Sequence, residues 1–397
     1  MGDIDNYTRE ALAVIRHLSE AIGGRGSCTP QEQQAAEFMA DKLRDAGVQG
    51  AHTEAIKGVV STYRPFILAF SSALLGVIVA LTFGNRLALA VAALLSLLGA
   101  WGMLAETDLS ANWMQWILPK SRGHNTVGVI PATGQAQRKV VLSAHLDTHR
   151  TPVFYSSKTW HKVFNLLVSA ALLSMIVGAF AFCLGVIFNW TWMRWVGLII
   201  APMQIFALSM CVHADFTPFS PGANDDASGV GVIFGLAKRL QEESLKNTEV
   251  WIAYKDCEEV GCYGMAGFLD AHAEELGREA IYLVLDEVGQ GRIKYIRLDV
   301  IVVKRPTHPR ALELAKKVSA GMPELGVVER VGVAYTDAQV ATKRGLIALT
   351  ISCDIPPETS RVSHWHQMSD RVEHIDPRIL ADAHAFTWGL LQEIDRI

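Results

Sequence analysis

The 397-residue chain has little charge, no basic excess and no paired cysteine motif, and each shortage closes off a class of protein. Only 19% of its residues are Asp, Glu, Lys or Arg, while half are apolar. That balance is unusual for a wholly soluble enzyme and directs attention to membrane-embedded segments. A formal net charge of −4 and the lack of an arginine-rich stripe argue against nucleic acid as a partner. The six cysteines, Cys28, Cys183, Cys211, Cys257, Cys262 and Cys353, contain no CxxC pair and no regular spacing, so reduced thiols are expected rather than a disulfide framework. The start, MGDIDNYTREALAVIRHL, is acidic and lacks the basic-then-apolar order of a secretory signal peptide. Internal repeats and low-complexity linkers are absent as well.

What the chain does have is four uncharged stretches, at 65–85, 87–105, 163–193 and 195–212. A membrane span needs roughly 20 apolar residues, and each stretch is near or above that, which favours spans over buried core helices. The short breaks GNR at 84–86 and NWTWMR at 189–194 make two helical hairpins, 63–105 and 163–213. An even number of crossings returns the chain to the side it left, so the polar segments 1–62, 106–162 and 214–397 share one face of the bilayer. Trp101, Trp113, Trp116, Trp160, Trp190, Trp192 and Trp195 lie at or near the ends of the apolar runs, where amphipathic rings favour the interface. Lys57, Arg64, Lys120, Arg122, Lys158 and Lys162 flank the polar side, against Arg86 and Arg194 in the hairpin tips. The positive-inside bias therefore predicts an integral, multi-pass protein whose polar domain is cytoplasmic. NWMQWILPK at 112–120 reads equally as a short surface-lying amphipathic piece or as a connecting helix.

With the hairpins set aside, strand and helix alternate. Helical periodicity covers 31–47 and 230–244, and apolar runs at 140–148, 249–256, 280–288 and 347–353 read as strands. The expected fold is α/β, a mostly parallel mixed sheet flanked by helices, with four transmembrane helices as two inserted hairpins. Ligands in such sheets collect beyond the carboxyl ends of the strands.

Three of those strands run into side chains able to do chemistry: His145 and Asp147, then Glu258 and Glu259, then Asp286. Between the first two stands Asn224-Asp225-Asp226 at a helix start, and SHWHQMSD occupies 363–370. Singly, such an Asp is usually a helix cap and such a His a core residue. Five clusters at one end of a sheet make a site. Imidazole and carboxylate donors without thiolate suit Zn²⁺ or a related divalent ion in an open, catalytic geometry. Two neighbouring cations need a shared carboxylate between them, and Asp225 is the candidate, with Asp226 capping the next helix. Gly222 and Gly229 permit the tight turn.

AHLDT at 144–148, GANDDASG at 222–229, CEEVG at 257–261, LVLDE at 283–287 and HQMSD at 366–370 resemble, in order, the motifs of the co-catalytic di-zinc aminopeptidases of the bacterial leucyl aminopeptidase type, metallopeptidase family twenty-eight. The similarity extends to GGRGS at 23–27 and NTVGVI at 125–130, and covers nearly all of the chain outside the hairpins. The resemblance implies two Zn²⁺ ions bridged by Asp225, one completed by His145 and Asp286, the other by Glu259 and His366. It implies Glu258 as general base and Asp147 as the partner that fixes the far nitrogen of His145. His364 competes with His366 for the last position; the spacing to Asp370 favours His366. Where several relatives carry a tyrosine before that histidine, this chain has Trp365, so oxyanion stabilisation is expected from Tyr335 or the metals. Thr336-Asp337 reads as a further family element or as a loop cap, and Cys257 and Cys262 as packing residues.

The implied activity is a membrane-integrated zinc aminopeptidase removing N-terminal residues from peptides. An amidase or deacylase of N-acyl amino acids or lipid-linked amides, and a non-catalytic receptor or scaffold, are the alternatives. The second hairpin interrupts the chain between Asp147 and Asp225, which leaves a simple anchor and a route for membrane-derived peptide or amide substrate as competing readings.

Overall fold

The computed structural model of the chain describes residues 5–300, 304–355 and 363–397; the first four residues of the N-terminal segment read above lie outside them. The chain divides into two units. One comprises Met1–Val60, Lys120–His149 and Phe219–Ile397, the other Ser61–Pro119 and Arg150–Pro218.

The first unit is built on a nine-stranded mixed sheet with flanking helices. Its strands are β1 (Gln49–Gly58), β2 (Ser121–Ile130), β3 (Arg138–His145), β4 (Thr248–Lys255), β5 (Ile281–Leu285), β6 (Arg292–Val300), β7 (Lys304–Pro306), β8 (Val328–Val331) and β9 (Ile347–Asp354). They run in the order β1-β2-β4-β3-β5-β9-β6-β7, with β8 also paired to β6. The α/β class expected from the sequence is the one observed. Parallel pairing is concentrated at the centre, where β4, β3, β5 and β9 lie side by side. The pairs β1–β2, β2–β4, β6–β9 and β6–β7 are antiparallel. This difference from a mostly parallel sheet has a physical origin. Central strands are covered on both faces and are uniformly apolar, as in the wholly buried β5, whereas β1 alternates exposed and buried residues.

Several helices of this unit carry side-chain N-caps. Pro30–Asp45 starts at Thr29, whose side chain accepts from Glu32 N, and carries Pro at its first turn. It buries Ala35, Ala36, Met39, Ala40 and Leu43 and ends before Gly47, whose φ of 81° needs no Cβ. Helix Ala227–Glu242 is buried along nearly its whole length and crosses helix Asn6–Arg16 closely. A Cβ on Gly231 would come within 2.7 Å of Ala11 O, and one on Gly235 within 3.0 Å of Tyr7 O. These two glycines, one turn apart, let the backbones touch.

The second unit has the reverse distribution of size. Its long helices, Tyr63–Phe83, Arg86–Thr107, Lys158–Ile187 and Val196–Asp215, bury small residues such as Ala69, Ala73, Ala80, Ala92 and Ala100. Leu75, Ile78, Leu94, Leu97, Ile176, Phe180 and Ile199 point outward and are exposed. Small residues thus line the helix contacts while large apolar ones lie outside. Among the described residues, four helices are long and apolar enough to cross a membrane. Asp215 meets Arg64 at 3.2 Å and Arg150 at 4.0 Å at one end. The segment at 112–120 forms the short helix Trp113–Ile117, with Met114 buried and Trp116 and Ile117 exposed.

Replacing Gly231 with Val pushes apart the two helices that meet there. Overpacking of this kind costs roughly 1–3 kcal/mol, so the thermal midpoint of the protein is expected to fall, as followed by circular dichroism.

Candidate metal centre

The site is assembled at the carboxyl ends of β3, β4 and β5, adjacent strands in the sheet. β3 terminates in His145, the loop after β4 holds Glu258 and Glu259, and β5 is followed by Asp286. Asp225 comes from the turn before helix Ala227–Glu242, and the Asp225–Asp226 peptide is cis. His366 comes from the loop at 363–370 and has φ of 54°, a left-handed conformation uncommon for a non-glycine residue.

Asp225 stands between two imidazoles. Its Oδ1 lies 3.2 Å from His145 Nε2 and its Oδ2 lies 3.2 Å from His366 Nε2. Asp286 Oδ1 is 3.9 Å from the same nitrogen of His145, and Glu259 Oε2 is 3.3 Å from that of His366. The donor atoms of His145, Asp225 and Asp286 form one group within 4.8 Å, and those of Glu259, His366 and His149 form another. All five residues expected as ligands are thus brought together. His364 is directed elsewhere: it stacks on His374 at 3.9 Å, with Nδ1 2.8 Å from Ser369 Oγ.

The surrounding polar residues hold the backbone of this constellation. Asp370 accepts from Asn224 N and Asp225 N at 2.9 and 3.0 Å, fixing the turn that presents Asp225. Asp226 caps its helix through Gly229 N and also accepts from His145 N and Glu287 N. Asp147 differs from its expected place. His145 Nδ1 lies 3.0 Å from the backbone carbonyl of Asp147 and 3.5 Å from its carboxylate. That carboxylate accepts from Glu258 N, Glu259 N and Ser27 Oγ at 3.1, 3.2 and 2.6 Å. Asp147 therefore braces the glutamate pair at least as much as it orients the imidazole. Fully buried Arg25 ties the glycine-rich segment to the site by donating to Leu146 O, Pro221 O and Gly222 O. Burial lowers its guanidinium to about 10 against the pull of Asp370 and Asp147.

Sequence reasoning passed over His149, Asp370 in its anchoring role, Arg25 and Ser27. His366 is sandwiched between His149, 3.7 Å away and nearly parallel, and Trp365 at 4.1 Å. The pattern AHLDTHR could have flagged His149, which follows His145 and Asp147 on the same strand exit. Tyr335 Oη lies 3.5 Å from the backbone oxygen of Glu259. Cys262 Sγ is 3.8 Å from Glu258 Oε1.

Electrostatics shows what the cluster needs. Burial, reinforced by neighbouring carboxylates and opposed by His145, drives the Glu258 and Asp226 carboxyls well above their usual range. Burial chiefly, with Asp225 adding, brings Glu259 to about 7 and Asp286 to about 6. For Asp225, burial works upward, but contact with His145 and His366 wins and holds it well below the usual range. His145 moves up despite burial, through Asp147 and Asp225. Glu259 Oε1 is buried without a hydrogen-bond partner. Acids crowded at this density without cations repel, and nitrogen and oxygen donors of this kind fit divalent ions of the Zn²⁺ type.

Sheet, strand-end imidazole and shared aspartate together define the zinc-exopeptidase class of fold. Residues 202–390 match the sequence profile of Peptidase family M28, in line with the resemblance carried by the motifs. Among curated proteins, aminopeptidase YwaD of Bacillus subtilis (strain 168) is 29% identical over 176 residues. That alignment covers 43% of this chain and 37% of the relative, well under half of either. Among solved structures, the zinc aminopeptidase BSAP of Bacillus subtilis aligns with a TM-score of 0.58 at 13% identity, covering 99% of this chain and 96% of that one. A glutaminyl cyclase of Bacteroides thetaiotaomicron aligns with a TM-score of 0.56 at 14% identity, covering 98% of both chains. These likenesses establish the fold, which accommodates more than one named activity.

The raised carboxyls fix the sign of a pH effect. Glu259 and Asp286 bind protons more tightly folded than unfolded, at about 7 and about 6 against ordinary values of 4.5 and 3.8. Their contribution to stability is complete below the unfolded values and is lost as pH rises through the folded ones. The chelator-stripped protein is therefore expected to lose thermal stability between pH 4 and about pH 7, and added Zn²⁺ to cancel the loss at pH 7. Thermal scans with and without Zn²⁺ measure it.

Proposed function

We propose that the chain is a metal-dependent aminopeptidase, hydrolysing the N-terminal residue from peptides. One observation carries this reading: the two oxygens of a single carboxylate, Asp225, face two different imidazoles at 3.2 Å each. One set of donors, His145 and Asp286, surrounds the first oxygen, and another, His366 and Glu259, the second. The family match and the zinc aminopeptidase neighbours support zinc as the metal.

His145, Asp225 and Asp286 would hold one Zn²⁺, and His366, Glu259 and Asp225 the other. When bound, such ions polarise a carbonyl oxygen and make water a better nucleophile at neutral pH. Everything else is assigned to the chain. Glu258 is the general base: its backbone is fixed by Asp147, and its side chain is outside both donor groups. It takes a proton from the attacking water as the new C–O bond forms and delivers it to the amine nitrogen as the C–N bond breaks. Asp370 keeps Asp225 between the two donor sets, and the stacked rings of His149 and Trp365 restrain His366.

We further assign the four long helices as bilayer spans, with the catalytic unit cytoplasmic. Outward-facing Leu, Ile and Phe and inward-facing Ala support the first assignment, and the Lys and Arg bias the second. In sequence, the chain departs for the second helical pair after His149 and returns at Phe219, a few residues from His145 on one side and Asp225 on the other. This connectivity favours a hydrophobic, membrane-derived peptide as substrate.

Glu258→Ala is expected to lower turnover by at least about 10²–10⁴-fold while metal content per chain stays unchanged; metal analysis alongside hydrolysis of free-amine and N-acylated substrates checks it. Cleavage of only the N-acylated members by the native protein would move the assignment to an amidase. Asp225→Asn should reduce metal occupancy. Replacement of 163–213 by a short loop should impair cleavage of bilayer-embedded peptides more than that of soluble aminoacyl anilides, and equal effects on both would leave the hairpin as an anchor.

A further inference from the structure

A second cluster of metal-ligating side chains lies in the same unit, one residue upstream of Glu258. Cys28, after the glycine-rich segment, and Cys257, after β4, approach to 3.3 Å between sulfurs. The two sulfurs and a carboxylate oxygen of Asp256 all lie within 4.8 Å of one another. Both cysteines hold left-handed backbone conformations, φ 58° and 59°, which turn the two thiols toward each other from different segments. Asp256 is fully buried, and its oxygens accept from Cys28 N and Cys257 N at 3.3 and 2.6 Å. Each of those oxygens retains a further lone pair.

Glu32, from the first turn of helix Pro30–Asp45, supplies the independent observation. It is wholly buried, and its Oε1 has no hydrogen-bond partner. Its carboxyl lies against that of Asp256 and within electrostatic reach of Cys28, and its Oε2 is 3.5 Å from His124 Nδ1. On the opposite side, Gly58 faces both sulfurs, and any Cβ there would collide with them. Two soft sulfur donors and an Asp256 oxygen grouped within 4.8 Å, with the buried Glu32 carboxyl hydrogen-bonded to Asp256 and side-chain volume withheld at the glycine, offer sulfur and oxygen ligands to one ion. A disulfide would need the sulfurs at about 2.05 Å; a tetrahedral ion holding each sulfur at about 2.3 Å needs them to part by only a few tenths of an ångström.

We propose that Cys28, Cys257, Asp256 and Glu32 form a closed, structural site for a thiophilic divalent ion such as Zn²⁺, distinct from the Asp225 centre. Binding exchanges the two thiol protons for the cation, and the protons pass to solvent. The ion joins three segments: the loop carrying Arg25 and Ser27, the helix Pro30–Asp45, and the exit of β4. The last is the segment that presents Glu258 and Glu259, so the site acts as a staple behind the catalytic loop. Four protein donors leave no open position for substrate.

Cobalt gives a readout that the Asp225 centre cannot produce, because that centre offers only nitrogen and oxygen donors. The full chain in detergent, stripped with chelator under reducing conditions and titrated with Co²⁺, is expected to develop a sulfur-to-cobalt charge-transfer band whose final intensity corresponds to one thiolate-bound ion per chain. The double variant Cys28→Ser, Cys257→Ser should lose the band and bind one equivalent fewer. Glu32→Gln, which keeps both thiols, should weaken the Co²⁺ affinity measured by that band at least about tenfold and provides the test should the double variant fail to fold. A native protein without the band, a band that survives loss of both thiols, or unchanged affinity in Glu32→Gln overturns the site. An empty or inactive Asp225 centre would leave the band intact, so failure of the peptidase reading is read separately by activity.

Discussion

Two imidazoles converge on one carboxylate, and the rest of the catalytic unit is organised to keep them there. Asp225 is held by Asp370 from behind, through hydrogen bonds to its own amide and to that of Asn224. It is the one acid in the cluster that contact with His145 and His366 pulls below the usual carboxylate range, while Glu258, Glu259, Asp286 and Asp226 are pushed up. A pocket with this many buried acids is destabilised by its own charge unless protons or cations neutralise it. The crowding is consistent with a site whose folded form is completed by metal.

Support for the constellation comes from the sheet rather than from the loops alone. β4, β3 and β5 are neighbours and parallel, so residues that follow their last hydrogen-bonded pairs emerge side by side. Asp147 converts that alignment into a fixed catalytic loop by accepting from both Glu258 N and Glu259 N. Arg25 performs the matching task for the turn before Asp225, bridging Leu146 O to Pro221 O and Gly222 O. Buried polar side chains bonded to backbone in this way limit local motion, since releasing any one leaves an unsatisfied buried group.

The helical unit and the sheet unit follow opposite packing rules. In the sheet unit, large apolar side chains such as Leu142, Leu283 and Leu349 are buried. In the helical unit, alanines and glycines line the helix contacts and the large aliphatic side chains face outward. Each helix hairpin is inserted into a connection between strands, so the sheet retains its order across both interruptions.

The sequence by itself determined the strand-ending acids and histidine, the four apolar runs, and the cap at Asp226, because each is a local pattern: an apolar run followed by a polar residue, a length, or a residue type at a helix start. The family resemblance, through the spacing to Asp370, favoured His366 over His364, and the structure places His366 beside Asp225 while His364 pairs with Ser369. Tertiary structure decided what depends on distant segments meeting. The antiparallel edges of the sheet were hidden because β1 is mixed in polarity and β7 is short. The stacking of His149 on His366 joins residues more than two hundred positions apart. The division of Asp147 between an imidazole and two glutamate amides, and the meeting of Cys28 with Cys257, required the fold to bring loops together. Periodicity and spacing report on neighbours along the chain, whereas a ligand set is defined by neighbours in space.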